Sequence, residues 1–122
     1  MAGFTQTEQV AILDLRFPTT GATDYIAYST NGTSEAAILA RTAIGATGWA
    51  VATAATPSVK ANASVLTSAT ASGGGTVTHF AIFTASTGGT QRTDWQALGA
   101  SKAVANGDAL TWAVGSCQIT LD

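Results

Sequence analysis

Beyond Thr19 the sequence breaks into short apolar runs, each closed by a cluster of Gly, Asn, Ser or Thr, and this punctuation constrains the fold more than any other feature. Runs of that length bounded by turn formers are the signature of an antiparallel sandwich or barrel. The runs predict strands at 25–29, 36–43, 49–54, 64–70, 76–84, 94–98, 101–104, 109–114 and 117–121. Asn31-Gly32 and Asn106-Gly107-Asp108 are turn sequences, because these residue types accept the positive φ of a tight turn. The clearest alternation is at the end of the chain. There Leu110, Trp112 and Val114 share one face, Cys117, Ile119 and Leu121 share another, and both faces are expected in the core.

The N-terminus reads differently. Thr5 and Glu8 stand at capping-box spacing, so the Thr5 hydroxyl can satisfy the free Glu8 N–H. Val10, Leu13 and Phe17 then fall on one helical face, with Ile12 and Leu15 beside them. Pro18 closes the segment, since the residue before a proline is pushed out of the α region. The spacing predicts a helix of three turns over 6–16. Such a helix is marginal alone in water and needs a surface to pack on, its own domain or a neighbouring subunit. In the stretch 50–71 the helix propensity of alanine competes with the strand propensity of threonine, leaving a strand, an extended arm or a loop open.

Composition bears on how the surface is used. Ala, Thr and Gly make up 59 of the 122 residues, and only 10% are charged, with a formal net charge of −2. An ordinary soluble domain is about 25% charged and uses charge to keep copies apart. A surface of hydroxyls, amides and backbone instead suits a chain whose faces end against neighbours in an assembly. Arg16, Arg41, Lys60, Arg92 and Lys102 are scattered singly, so the clustered basic face that phosphate binding requires is missing and nucleic acid is not an expected partner. No apolar run reaches the length of a membrane span. The opening MAGFTQTEQV has no basic segment followed by an apolar one, so the chain is expected to be made and kept in a cytoplasm until it is released.

The search for chemistry yields no catalytic, cofactor-binding or metal residues. His79 is the one histidine, on a strand with Val77, Ala81 and Phe83 on its face, and no G-x-S-x-G elbow accompanies it. Neither Asp94 nor Asp108 stands at ligand spacing from His79. The remaining carboxylates, Glu8, Asp14, Asp24, Glu35 and Asp122, form no close pair, and Asp24 and Asp108 read as turn residues. Gly73-Gly74-Gly75 precedes a strand and lacks the helix N-terminus of a phosphate cradle. Cys117, the single cysteine, has no basic neighbour and reads as a small buried hydrophobe, and it excludes an internal disulfide. The acceptor patterns at Asn31 and Asn62 read as chance matches in a Ser- and Thr-rich chain. Of the tryptophans, Trp49 and Trp112 are expected in the core. Trp95, among polar neighbours in QRTDWQ, is the candidate for an exposed sugar platform.

Two segments carry a resemblance. One holds Thr76, Thr78, His79, Phe80, Ile82 and Phe83, then Ala85, Gly88 and Gly89. The other holds Gly107, Asp108, Leu110 and Trp112, and closes on Thr120 and Leu121. Over roughly the last 50 residues the chain resembles a family of small tail-fibre and minor structural proteins of tailed phages and prophages, in which these elements recur. The segment RTDWQALGASKAV between them departs from the family pattern, and the first 70 residues match no family. The resemblance implies a virion part with a β-sandwich, no chemistry and no cofactor.

The reading is therefore an all-β, antiparallel, jelly-roll-like sandwich with a short N-terminal helix, in which 1–17 form a helix or docking segment and 18–122 the sandwich. The expected function is that of a bacteriophage virion structural protein, with no enzymatic activity, assembled in the host cytoplasm. Its leading form is a head decoration protein that stabilises the shell in many copies, as a homo-oligomer, a trimer by preference, on the major capsid protein or other virion proteins. The alternatives are a tail-tube, tail-tip or tail-fibre component, and a carbohydrate-binding module using Trp95 or Trp49. No membrane contact and no cofactor are expected.

Overall fold

The structure, a computed structural model, describes residues 3–121. The class is all-β and sandwich-like: antiparallel sheets with one short N-terminal helix. The chain divides into two compact units, one of Met1–Ala22, Ile44–Val65 and Trp112–Asp122, the other of Thr23–Ala43 and Leu66–Thr111.

The first unit begins with α1 (Gln6–Arg16), whose bounds and cap follow the expectation. Thr5 Oγ1 accepts from the Glu8 N–H at 3.3 Å, and the Phe17 N–H closes the last turn on Leu13 O. Glu8 in the first turn and Arg16 in the last complement the helix dipole. The helix packs on β3 (Ser58–Ala61), which pairs antiparallel with β8 (Gln118–Leu121) in the register Ser58↔Leu121. Leu13 and Phe17 are buried as expected, and the Phe17 ring meets Trp49 edge-on at 5.5 Å.

Polar pairs complete this contact. Ser58 Oγ donates to Gln9 Oε1 at 2.8 Å, and Lys60 Nζ donates to Asp14 Oδ1 at 2.7 Å, with Gln9, Ser58 and Lys60 all buried. Leu15, expected beside the apolar face, is instead 77% exposed, and Gln9 takes an inward place. The reason is on β3, whose inward residues are Ser58 and Lys60 and therefore select hydrogen-bonding partners from the helix.

The same unit is held at its other end by Asn62. Its side-chain amide donates to Ser64 O at 2.8 Å and Ala113 O at 2.9 Å, and its Oδ1 accepts from the Cys117 N–H at 2.9 Å. Asn62 is 1% exposed, so the acceptor pattern around it is a structural hub. Ala113 to Ser116 form a turn closed by the Ser116 N–H on Ala113 O. That turn carries Val114 outward, to 62% exposure, against its expected core place.

The second unit is built on a four-stranded antiparallel sheet. β1 (Tyr25–Ser29), β2 (Thr42–Ala43), β5 (Gly75–Phe83) and β6 (Gln96–Val104) lie in the order β2-β1-β5-β6. Ile26, Ala27, Tyr28, Val77, Ala81 and Ile82 form its fully buried centre. β4 (Leu66–Thr67) pairs with β7 (Thr111–Trp112) in a two-stranded ladder. β5 and β6 pair Val77↔Lys102 and then His79↔Ala97, so Leu98, Gly99, Ala100 and Ser101 bulge out opposite Thr78 alone. The break between the two runs expected at 94–98 and 101–104 is this bulge in one continuous strand.

Candidate functional site

The second unit presents one loop on a stiff base. β5 ends at Phe83, and the chain turns through an exposed tip from Ser86 to Thr90. The Thr84 N–H donates to Thr90 O at 3.1 Å, and the Thr90 N–H donates to Thr84 Oγ1 at 2.9 Å. Gly88 and Gly89 are both left-handed, with φ of 62° and 70°. A Cβ on Gly89 would lie 2.7 Å from Thr84 Oγ1, so the second glycine is required for space as well as for backbone.

Arg41 fastens this loop from beside β2. Its Nε donates to Glu35 Oε2 at 2.9 Å and one Nη to Glu35 Oε1 at 2.8 Å, a two-pronged ion pair. The other Nη donates to Ala85 O and Gly88 O, each at 2.8 Å. The guanidinium lies 3.9 Å over the Phe83 ring, and Phe83 lies 6.0 Å from the half-buried Trp95 at a tilt of 52°. The hydrogen bonds to Glu35 raise the Arg41 pKa, burial lowers it, and the Glu35 charge adds to the rise, so the group is held more firmly charged than an ordinary arginine. The planar fork of arginine is what allows one side chain to make a carboxylate pair, two carbonyl bonds and an aromatic contact together.

Beside the loop lies an open groove of about 380 Å³, with Leu39 and the small residues Ala36, Ala37 and Ala40 on one wall and Ser86, Thr87 and Gly88 on the other. The charged side chains at its edge are engaged with each other and with the loop backbone. The groove is lined by small apolar side chains, hydroxyls and loop backbone.

The residues weighed from sequence are placed apart. His79 Nδ1 lies 2.8 Å from Thr78 Oγ1, and its ring fills the space above Gly32, where a Cβ would come within 2.8 Å. Asp108 Oδ2 accepts from the Ala105 N–H at 2.9 Å, the turn role expected of it. Asp24, also read as a turn residue, is instead 2% exposed and paired with Arg92 at 2.6 Å. Cys117 is fully buried, and burial pushes its thiol up to about 12. Trp49 and Trp112 are buried. Among the described residues, no three His, Cys, Asp or Glu side chains stand close enough to hold a metal ion, and no helix is long and apolar enough to cross a membrane. The Arg41 clamp, the Asn62 hub and the Lys60–Asp14 pair were not signalled by spacing. Only the isolation of each charged residue in a weakly charged chain hints at a specific partner.

The scaffold is all-β, and its buried polar side chains bond to its own backbone and to each other. The family model of the podophage GP4 fiber I protein gp80 matches residues 5–120, and the chain belongs to that family. It is thus a member of a phage virion structural family, and the match extends from the helix cap to β8, well beyond the last 50 residues. No curated protein matches the chain.

Proposed function

We propose that the chain is a non-catalytic building block of a phage fibre, held in the particle by contacts with other virion proteins. The match to a fibre protein over residues 5–120 carries this reading, because it takes in both compact units. The geometry supports it. Arg41, Asp24, Arg92 and Asn62 are engaged inside the fold, and the loop tip exposes hydroxyls and backbone. A rigidly based loop on a β scaffold is a common place for recognition.

Head decoration rests on small size and low charge, which a fibre subunit shares, and the matched family favours the fibre. The trimer expected for decoration rested on sites where three capsid subunits meet, and a fibre position removes that ground. A particle carrying an epitope tag after Thr87, in the exposed tip, tests the proposal by gold-labelled antibody and electron microscopy. Label on fibres is the expected result, and an even coat over the head would overturn it.

A further inference from the structure

We infer that Asn106 is a site of spontaneous covalent modification, at which the side-chain amide is lost by ring closure onto the Gly107 nitrogen and replaced by aspartate or isoaspartate. Asn31, in the same Asn-Gly sequence, is held unreactive by the fold. The chain has three asparagines, and two of them, Asn31 and Asn106, precede a glycine. With no Cβ, glycine is the successor that leaves its backbone nitrogen least hindered. Both asparagines are exposed, so sequence and solvent access rank the two sites equally. Their hydrogen bonds do not.

The Asn31 amide is locked. Its Oδ1 accepts from the Thr33 N–H at 2.9 Å, the Ser34 N–H at 3.0 Å, the Ser29 hydroxyl at 3.0 Å and the Thr33 hydroxyl at 3.1 Å. Its Nδ2 donates to Ser34 Oγ at 3.2 Å. The Gly32 N–H, which would have to attack, donates to the fully buried Ser29 Oγ at 2.9 Å. Asn62 is buried, bonded through both ends of its amide and followed by alanine. Asn106, by contrast, makes no side-chain hydrogen bond among the described residues. It sits in a turn that the Asp108 N–H closes on Ala105 O at 3.0 Å, with open space where a Gly107 side chain would be. The attacking nitrogen has one bond to break, from the Gly107 N–H to Ala71 O at 2.8 Å. Gly107 has a φ of 92°, and glycine tolerates either sign, so the peptide between Asn106 and Gly107 can turn over toward the side chain.

The Gly107 nitrogen loses its proton to a base in solution and bonds to Asn106 Cγ. Nδ2 takes up a proton and leaves as ammonia, which closes a succinimide ring. Water then adds to one of the two ring carbonyls. Addition at Cγ breaks the new bond and gives aspartate. Addition at the main-chain carbonyl breaks the original peptide bond and gives isoaspartate. Water is the co-reactant, one amide and one water becoming one carboxylate and one ammonia, with nothing oxidised or reduced. The new carboxylate arises two positions from Asp108, whose Oδ2 accepts from the Ala105 N–H at 2.9 Å across the same turn. The two charges repel there, and isoaspartate also lengthens the main chain between β6 and β7. The inference does not depend on where in the particle the chain sits.

Incubation of the full folded chain in mildly alkaline buffer, with peptide mapping by mass spectrometry over time, tests it. Cleavage after lysine and arginine puts Asn31, Asn62 and Asn106 on separate peptides. Aspartate and isoaspartate should accumulate at Asn106 about tenfold or more faster than at Asn31, where several hydrogen bonds must first be lost. In denaturant the two Asn-Gly sites should convert at similar rates. Asn106→Gln should abolish the acidic species that ion exchange resolves from the aged chain. Ser29→Ala should speed conversion at Asn31 and leave Asn106 as it was. Should Ser29→Ala fail to fold, the comparison of folded with denatured wild type decides alone. Equal conversion at Asn31 in the folded chain, an intact Asn106 when the denatured chain has converted, an acidic species that survives Asn106→Gln, or an unchanged Asn31 rate in folded Ser29→Ala would each overturn the inference.

Discussion

Lys60 Nζ donates to Asp14 Oδ1 at 2.7 Å, with Lys60 fully buried and the Asp14 side chain 35% exposed. The pair joins helix to strand, and its inner member depends on its outer one. Burial raises the Asp14 pKa, but the hydrogen bonds from Lys60 and the Ala52 N–H, with the Lys60 charge, outweigh it and hold the carboxyl below its usual range.

A carboxyl depressed in the folded state contributes stability above its unfolded pKa of about 3.9 and loses it as pH falls through the folded value. Asp14→Ala should cost about 1–3 kcal/mol at pH 7, since it strands a buried ammonium whose partner had water access. Urea titrations from pH 7 to pH 2 should show the gap between wild type and variant constant above about pH 5 and closing in acid. A gap that persists unchanged to pH 2 would show that Asp14 acts by shape alone.

Arg41→Lys should leave the sheet intact and loosen the loop. A lysine ammonium cannot hold Glu35, Ala85 O and Gly88 O together while stacking on Phe83. The expected readout is faster amide exchange at Thr84 and Thr90, whose N–H groups close the loop, with a stability loss of about 1–2 kcal/mol. Protected amides in the variant would mean that the two left-handed glycines fix the loop without the clamp.

The buried tryptophans should behave as core. Trp112→Ala is expected to cost about 3–5 kcal/mol, and Trp49→Ala, which also removes the edge contact to Phe17, a similar amount. Denaturant midpoints measure both. His79→Gln, by contrast, should fold with a far smaller loss.

Cys117 should be inert in the native protein. Burial raises its thiol to about 12, so little thiolate exists at neutral pH and reagents have no path to it. Labelling by an aromatic disulfide reagent should be slow in buffer and complete in denaturant. Prompt labelling of the folded chain would contradict the packing of β8.

What was legible in the sequence follows from where ordinary patterns held. α1 was readable to the residue because a cap, an apolar face and a proline agreed, and β1 because its run is short and apolar. β5 lies within one residue of the expected run at each end. Within 50–71, where the sequence leaves a strand, an arm or a loop open, β3 gives no clear signal because its inward residues are Ser58 and Lys60, the reverse of the usual alternation. Their partners Gln9 and Asp14 were hidden on the helix for the same reason. The runs expected at 36–43, 49–54, 64–70 and 109–114 are longer than the strands that form there. Small apolar residues there pack as turns and bridges, and only Thr42–Ala43, Leu66–Thr67 and Thr111–Trp112 keep a ladder. Arg41 reaches Ala85 and Gly88, and Asn62 reaches Ala113 and Cys117, all more than 40 positions away, which no local pattern encodes.

The central claim, that the chain is a fibre part, is tested most directly by quantitative mass spectrometry of purified particles. Heads should be separated from the sheared tails and fibres before counting. The fibre account predicts recovery with the tail and fibre fraction, at far fewer copies than the major capsid protein. Recovery in the head fraction, at a copy number of the same order as the capsid protein, would contradict it.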